Sequence, residues 1–115
     1  MSAPVSGIAD LRDGALVAIG DEDHEALSSF ASIAPEIFAD DRSVWASLLL
    51  ERAHAHGAAV ALEELVLVTP STVHVAQRLP ANRSRALLTV GAWAENVGTV
   101  LGVARERLRE LEPRP

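Results

Sequence analysis

The spacing of apolar residues changes several times along the chain, and each change marks an element. Val5 to Leu11 and Ala15 to Ile19 are short apolar stretches on either side of Arg12-Asp13-Gly14. Asp and Gly tolerate the positive φ of a tight turn, so the two stretches are expected to pair as a β-hairpin. In Gly20-Asp21-Glu22-Asp23, Asp21 or Asp23 can cap a helix, and the carboxylates suit the positive end of its dipole. Leu27, Phe30, Ala31, Ala34, Ile37 and Phe38 then recur at three- and four-residue spacing, which places them on one helical face. Pro35 lies too far past the cap to be a first-turn proline, and predicts a kink or the start of a new helix.

Asp40-Asp41-Arg42-Ser43 is a polar break with helix-start chemistry. After it, Val44, Trp45, Leu48, Leu49 and Ala53 restore the helical period until Gly57. Leu50 falls outside that stripe, so Trp45 to Leu50 has apolar surface on more than one face and needs two partners. Glu64 to Thr69 reads as a strand whose Leu65-Val66-Leu67-Val68 centre needs cover on both sides. Pro70-Ser71 makes a turn. Thr72 to Leu79 then alternates, with Val73, Val75 and Leu79 on one side and Thr72, His74 and Arg78 on the other, as a half-buried strand does. Pro80 to Ser84 supplies another turn, and Arg85 to Ala92 the last strand. Asn96 can cap a final helix running to Leu111, striped by Val97, Val100, Leu101, Ala104, Leu108 and Leu111, with Pro113 beyond it.

The order is therefore strand, strand, helices, three strands, helix. It predicts an α+β sandwich: a five-stranded antiparallel sheet, a long or bent helical segment between strands 2 and 3, and a C-terminal helix. At 115 residues the chain fits one domain, 1–115, with flexible ends at 1–4 and 112–115. A 49% hydrophobic fraction is that of a sequence with a core to bury.

Charge and composition narrow the function classes. All ten basic residues are Arg, and against sixteen Asp and Glu they leave a net charge of -6. Binding a phosphate backbone needs clustered positive charge, so nucleic acid is not an expected partner. Phe30, Phe38, Trp45 and Trp93 are the full aromatic set, too few to form a row of stacking platforms for bases. With no cysteine, disulfides, thiolate metal sites and a cysteine nucleophile are excluded, and a reducing cytoplasm is the expected compartment. No apolar run approaches the roughly 20 residues of a membrane span, and residues 1–7 lack the basic segment of a signal peptide.

Candidate chemistry is sparse. His54 and His56 point about 200° apart on a helix and cannot share a metal. His24, among carboxylates at a helix start, and His74, on a strand's polar side, read as solvated side chains. No Gly-x-Ser-x-Gly elbow surrounds any serine, and the acidic clusters at Asp21 to Glu25 and Asp40-Asp41 are explained by capping. The glycines form no phosphate-cradling loop. Gly98 and Gly102 make a Gly-x-x-x-Gly on the last helix, read as close packing against the sheet in preference to helix dimerisation. Arg105, Arg107 and Arg109, with Glu106 and Glu110, read as a solvated face near the helix C-terminus. No catalytic residue, metal ligand or cofactor site is assigned. Trp45 and Trp93 are the large anchors, Trp45 equally suited to core or interface and Trp93 to the core or to a cover over the sheet's end.

The stretch Glu64 to Leu111, ELVLVTPSTVHVAQRLPANRSRALLTVGAWAENVGTVLGVARERLREL, resembles the roadblock family of dynein-associated light chains and their bacterial relatives. It has that family's strand, short turn, strand, polar loop, strand succession, a loose version of its helix start at Ala94-Glu95-Asn96, and a closing amphipathic helix. The hairpin GIADLRDGALVAIG is similar to the family's first two strands. The sequence departs from the family pattern in two places. Residues 1–4 stand where a helix usually precedes the first strand, and the region between strands 2 and 3 is longer than the usual single helix.

The resemblance implies a roadblock/profilin-like fold and a non-enzymatic module that homodimerises through its central helix and the neighbouring strand, often attending a Ras-like small GTPase. The residue pattern agrees on dimerisation. Trp45, Leu48, Leu49, Leu50, Leu65 and Leu67 are the interface candidates, because their apolar surface exceeds what the rest of the chain covers. A two-fold interface of roughly 1,200 to 2,000 Å² would cover it. The alternative is a small-ligand sensor with a pocket between helices and sheet, in which Arg78 or Arg85 meets an anion.

Overall fold

In the computed structural model of this chain, the residues described are 4–19, 24–39, 62–92 and 96–111. Among these residues seven elements follow in chain order: β1 (Val5–Asp10), β2 (Leu16–Ile19), α1 (His24–Ile37), β3 (Glu64–Val68), β4 (Thr72–Arg78), β5 (Arg85–Ala92) and α2 (Val97–Leu111). The five strands form one sheet in the order β2-β1-β5-β4-β3, and every neighbouring pair is antiparallel. This is the α+β architecture expected from the apolar pattern. The predicted break at Asp40 to Ser43, the helix through Trp45 and its end at Gly57 lie outside the described residues, as do the cap at Asp21 or Asp23 and Trp93.

Turn chemistry fixes the register of the hairpins. In the first, Asp10 and the segment after Gly14 close a loop in which Asp10 N–H donates to Ala15 O and Gly14 N–H to Asp10 O. Gly14 has φ +76°, and a Cβ there would lie 3.0 Å from Ala31 O of α1. A side chain would therefore be strained and also crowded against the helix. Between β3 and β4, Thr69 N–H donates to Thr72 O at 2.9 Å, and Thr72 N–H donates back to Thr69 Oγ1 at 3.0 Å. Between β4 and β5, Asn82 Oδ1 accepts from Ser84 N–H and Ser84 Oγ, an Asx turn of the kind that lets Asn replace a backbone acceptor.

The helices cover opposite faces of the sheet. Leu27, Phe30, Ala31 and Ala34 of α1, with Phe38 just past its end, are buried against Val5, Ala9, Ala76, Ala86, Leu88 and Val90. On the other face, Val100 and Ala104 of α2 close over Val73 and Val75. Since consecutive strand residues point to opposite faces, β4 and β5 serve both cores and are buried along most of their length. In β4 the expected apolar side, Val73, Val75 and Leu79, is buried, and Thr72, His74 and Arg78 on the other side are partly buried.

Several expectations are corrected. Helix α1 runs through Pro35 and ends two residues later, so the proline falls in the last turn and starts no new helix. Leu111, the end of the predicted α2 stripe, is 44% exposed. Gly98 and Gly102 face solvent, and a Cβ on Gly102 would meet nothing. The glycine that permits close packing of helix on sheet is Gly91 of β5, where a Cβ would lie 2.6 Å from Val100 Cγ2. Pro4 is buried, and its carbonyl accepts from Arg107 Nη1 at 2.8 Å.

Candidate functional site: the β3 edge and its apolar groove

β3 forms the outer edge of the sheet and, among the described residues, pairs only with β4. An edge strand presents a row of backbone donors and acceptors that another chain can pair with, and proteins usually blunt such edges with Lys, Pro or a bulge. The sequence of β3, ELVLV, contains none of these. Its pairing with β4 is regular, from Glu64 opposite Gln77 to Val68 opposite Val73.

The alternation of the strand sends Leu65 and Leu67 to the α1 side and Glu64, Val66 and Val68 to the α2 side. On the α2 side, Val66 packs with the second core, and Glu64 is held by Arg105, whose Nε and Nη2 donate to its two oxygens at 3.1 and 2.8 Å. Gln77 Nε2 adds a third hydrogen bond to Glu64, at 3.1 Å. The Arg105 guanidinium, followed by the Gln77 amide, holds the Glu64 carboxyl below its ordinary range. The N-terminal end of β3 is thus tied to α2.

The α1 side is left more open. Leu67 is 39% exposed and Ile33, on the neighbouring flank of α1, 48%; Val68 at the end of the strand, whose side chain points to the other face, is 49% exposed. These three line a groove of about 380 Å³ with Ala26, Phe30 and Val90 among its other walls. Its polar end is made by Thr69, Thr72 and His74, joined by Thr69 Oγ1 to Thr72 Oγ1 at 2.6 Å and Thr72 Oγ1 to His74 Nδ1 at 3.4 Å.

His74 is therefore not the solvated side chain expected from the sequence. It is half-buried, with its ring edge-on to Phe30 at a centroid distance of 5.0 Å. Burial pushes its pKa below the ordinary histidine value, because an imidazolium there would lose water. The signal in the sequence was the placement of His74 within a strand flanked by Val73 and Val75; what concealed it was the helix on that face.

Of the sequence-predicted interface residues, the structure places Leu65 and Leu67 on one face of the edge strand, Leu65 half-buried and Leu67 exposed. Trp45, Leu48, Leu49 and Leu50 lie outside the described residues. Arg78, considered as an anion partner, is committed to the backbone: Nε donates to Leu62 O at 3.1 Å, Nη1 to Arg83 O at 3.3 Å and Nη2 to Phe38 O at 3.3 Å. Its guanidinium also lies over the Phe38 ring, 5.1 Å from the centroid. Arg78 pins the chain after α1 and the chain before β3 to the sheet. Arg85 lies opposite Asp10 in the β1–β5 pairing. Among the described residues no group of three or more potential metal ligands occurs, and no helix is long and apolar enough to cross a membrane.

Set against known proteins, the chain matches no family model and no curated protein. It is similar in structure to MglB of Myxococcus xanthus, with a TM-score of 0.62 and 15% identity over 93% of this chain and 78% of that one. A roadblock/LC7 domain from Streptomyces avermitilis superposes with a TM-score of 0.52 and 15% identity, over 93% of this chain and 82% of the other. An MglB in a tetrameric arrangement gives a TM-score of 0.62 and 15% identity, over 93% and 72% of the two chains. The fold is thus the roadblock fold that the C-terminal half of the sequence resembles.

Proposed function

We propose that this chain is a non-catalytic regulatory or scaffold module of the cytoplasm that homodimerises through the β3 edge and acts by binding another protein. The observation that carries this reading is the apolar edge strand β3, which among the described residues pairs on one side only and leaves Leu67 exposed beside Ile33. Pairing two β3 edges around a two-fold axis would satisfy the outward backbone groups of both copies and bury Leu65 and Leu67 against their counterparts. The tetrameric arrangement of an MglB of the same fold is consistent with self-association. The partner implied by the roadblock resemblance is a Ras-like small GTPase, and the mechanism would be steric: a rigid surface that favours one conformation of the partner.

Light scattering on the purified protein tests the first step. The expected mass is that of two chains, falling to one chain in Leu67→Arg, which places a charge on the edge without disturbing the buried cores. A single-chain mass for the wild type at high concentration would remove the basis of the proposal. The second step is tested by affinity capture from lysate loaded with GDP or a GTP analogue: a small GTPase retained in one nucleotide state supports the reading, and none in either state opposes the GTPase assignment.

One observation favours a second reading. The groove between α1 and β3 is apolar along most of its length and ends in the Thr72–His74 pair, a layout that suits a small molecule with one polar end. Ligand-dependent melting that is lost in His74→Ala, in a protein whose wild-type mass is that of a single chain, would favour this sensor reading over the dimer.

A further inference from the structure

We draw no further inference here: the strongest candidate outside the site already described, the cleft between the β3–β4 pair and the last turns of α2 where the buried Gln77 Oε1 lacks a hydrogen-bond partner among the described residues, is rimmed by Glu63, Glu64, Arg105 and Arg109, which already pair within the chain, and so leaves no charged group to select a ligand chemistry.

Discussion

The two faces of the sheet are finished to different degrees. On the α2 face, Val73, Val75, Val100 and Ala104 are fully buried, and polar groups stitch the helix to the sheet on both sides of that core. Arg105 holds Glu64 of β3. Arg107 reaches across to Pro4 O and Ser6 Oγ, and Ser6 Oγ meets Thr89 Oγ1 at 2.8 Å. On the α1 face, the core is equally buried over β1, β5 and β4, yet toward β3 it gives way to exposed Ile33 and Leu67. Protein surfaces carry single exposed apolar residues without consequence, but a contiguous apolar group beside an open strand edge marks a place of association. The contrast puts the exposed apolar surface of β3 and α1 on one side of the sheet and the internal fastening on the other.

The largest expected effect tests whether the α1-face core is closed where it reads as closed. Leu88→Ala removes a fully buried side chain at the centre of β5 and should lower unfolding free energy by about 2–5 kcal/mol in urea titration. A loss well under 1 kcal/mol would mean that this face has no settled core. Next comes the α2 face, where Gly91→Ala should cost about 1–3 kcal/mol through overpacking against Val100. Gly102→Ala, on the exposed side of the same helix, should instead stabilise by about 0.5–1 kcal/mol. Equal effects at the two glycines would contradict the helix placement.

Smaller still is the pH dependence. The buried His74 has a lowered pKa, so the unfolded chain binds a proton more readily than the folded one. Its contribution is full above the unfolded value of about 6.5 and is lost as pH falls below that value. Wild type should therefore lose stability between pH 7 and 5, and His74→Phe should flatten that slope; an unchanged slope would show that His74 is not the group responsible. Asp10 acts at lower pH. The Arg12 side chain and backbone N–H hold its pKa down to about 2, so its stabilisation is complete above roughly pH 4 and fades as pH approaches 2. Asp10→Asn should remove that acid-range slope and leave the slope near neutrality. The smallest effect belongs to Arg105→Ala: its guanidinium is more than half exposed, and solvent screening leaves exposed ion pairs little net contribution. A large loss would mean that the tie between β3 and α2 carries more of the fold than its exposure suggests.

The order of elements was readable because each depends on local periodicity. The apolar stripe of Leu27, Phe30, Ala31, Ala34 and Phe38, the Asp13-Gly14 turn, the Asn96 cap and the strand boundaries near Glu64, Thr72 and Arg85 all rest on spacings of a few residues. The candidate site was legible in part. Leu65 and Leu67 stood out because a run of four apolar residues cannot be covered on one face alone. The groove, its His74 and the commitment of Arg78 to backbone carbonyls were not visible, since each joins residues far apart in the chain.

Among the described residues, the sequence by itself determined which are helical and which are extended, because side-chain period and turn chemistry act over short range. Only the tertiary structure decided which glycine meets a helix, which histidine is dehydrated and which strand is left at the edge. Those outcomes depend on the order of strands in the sheet and on the face each helix covers. A residue's neighbours along the chain do not specify what will lie above it once the sheet is assembled.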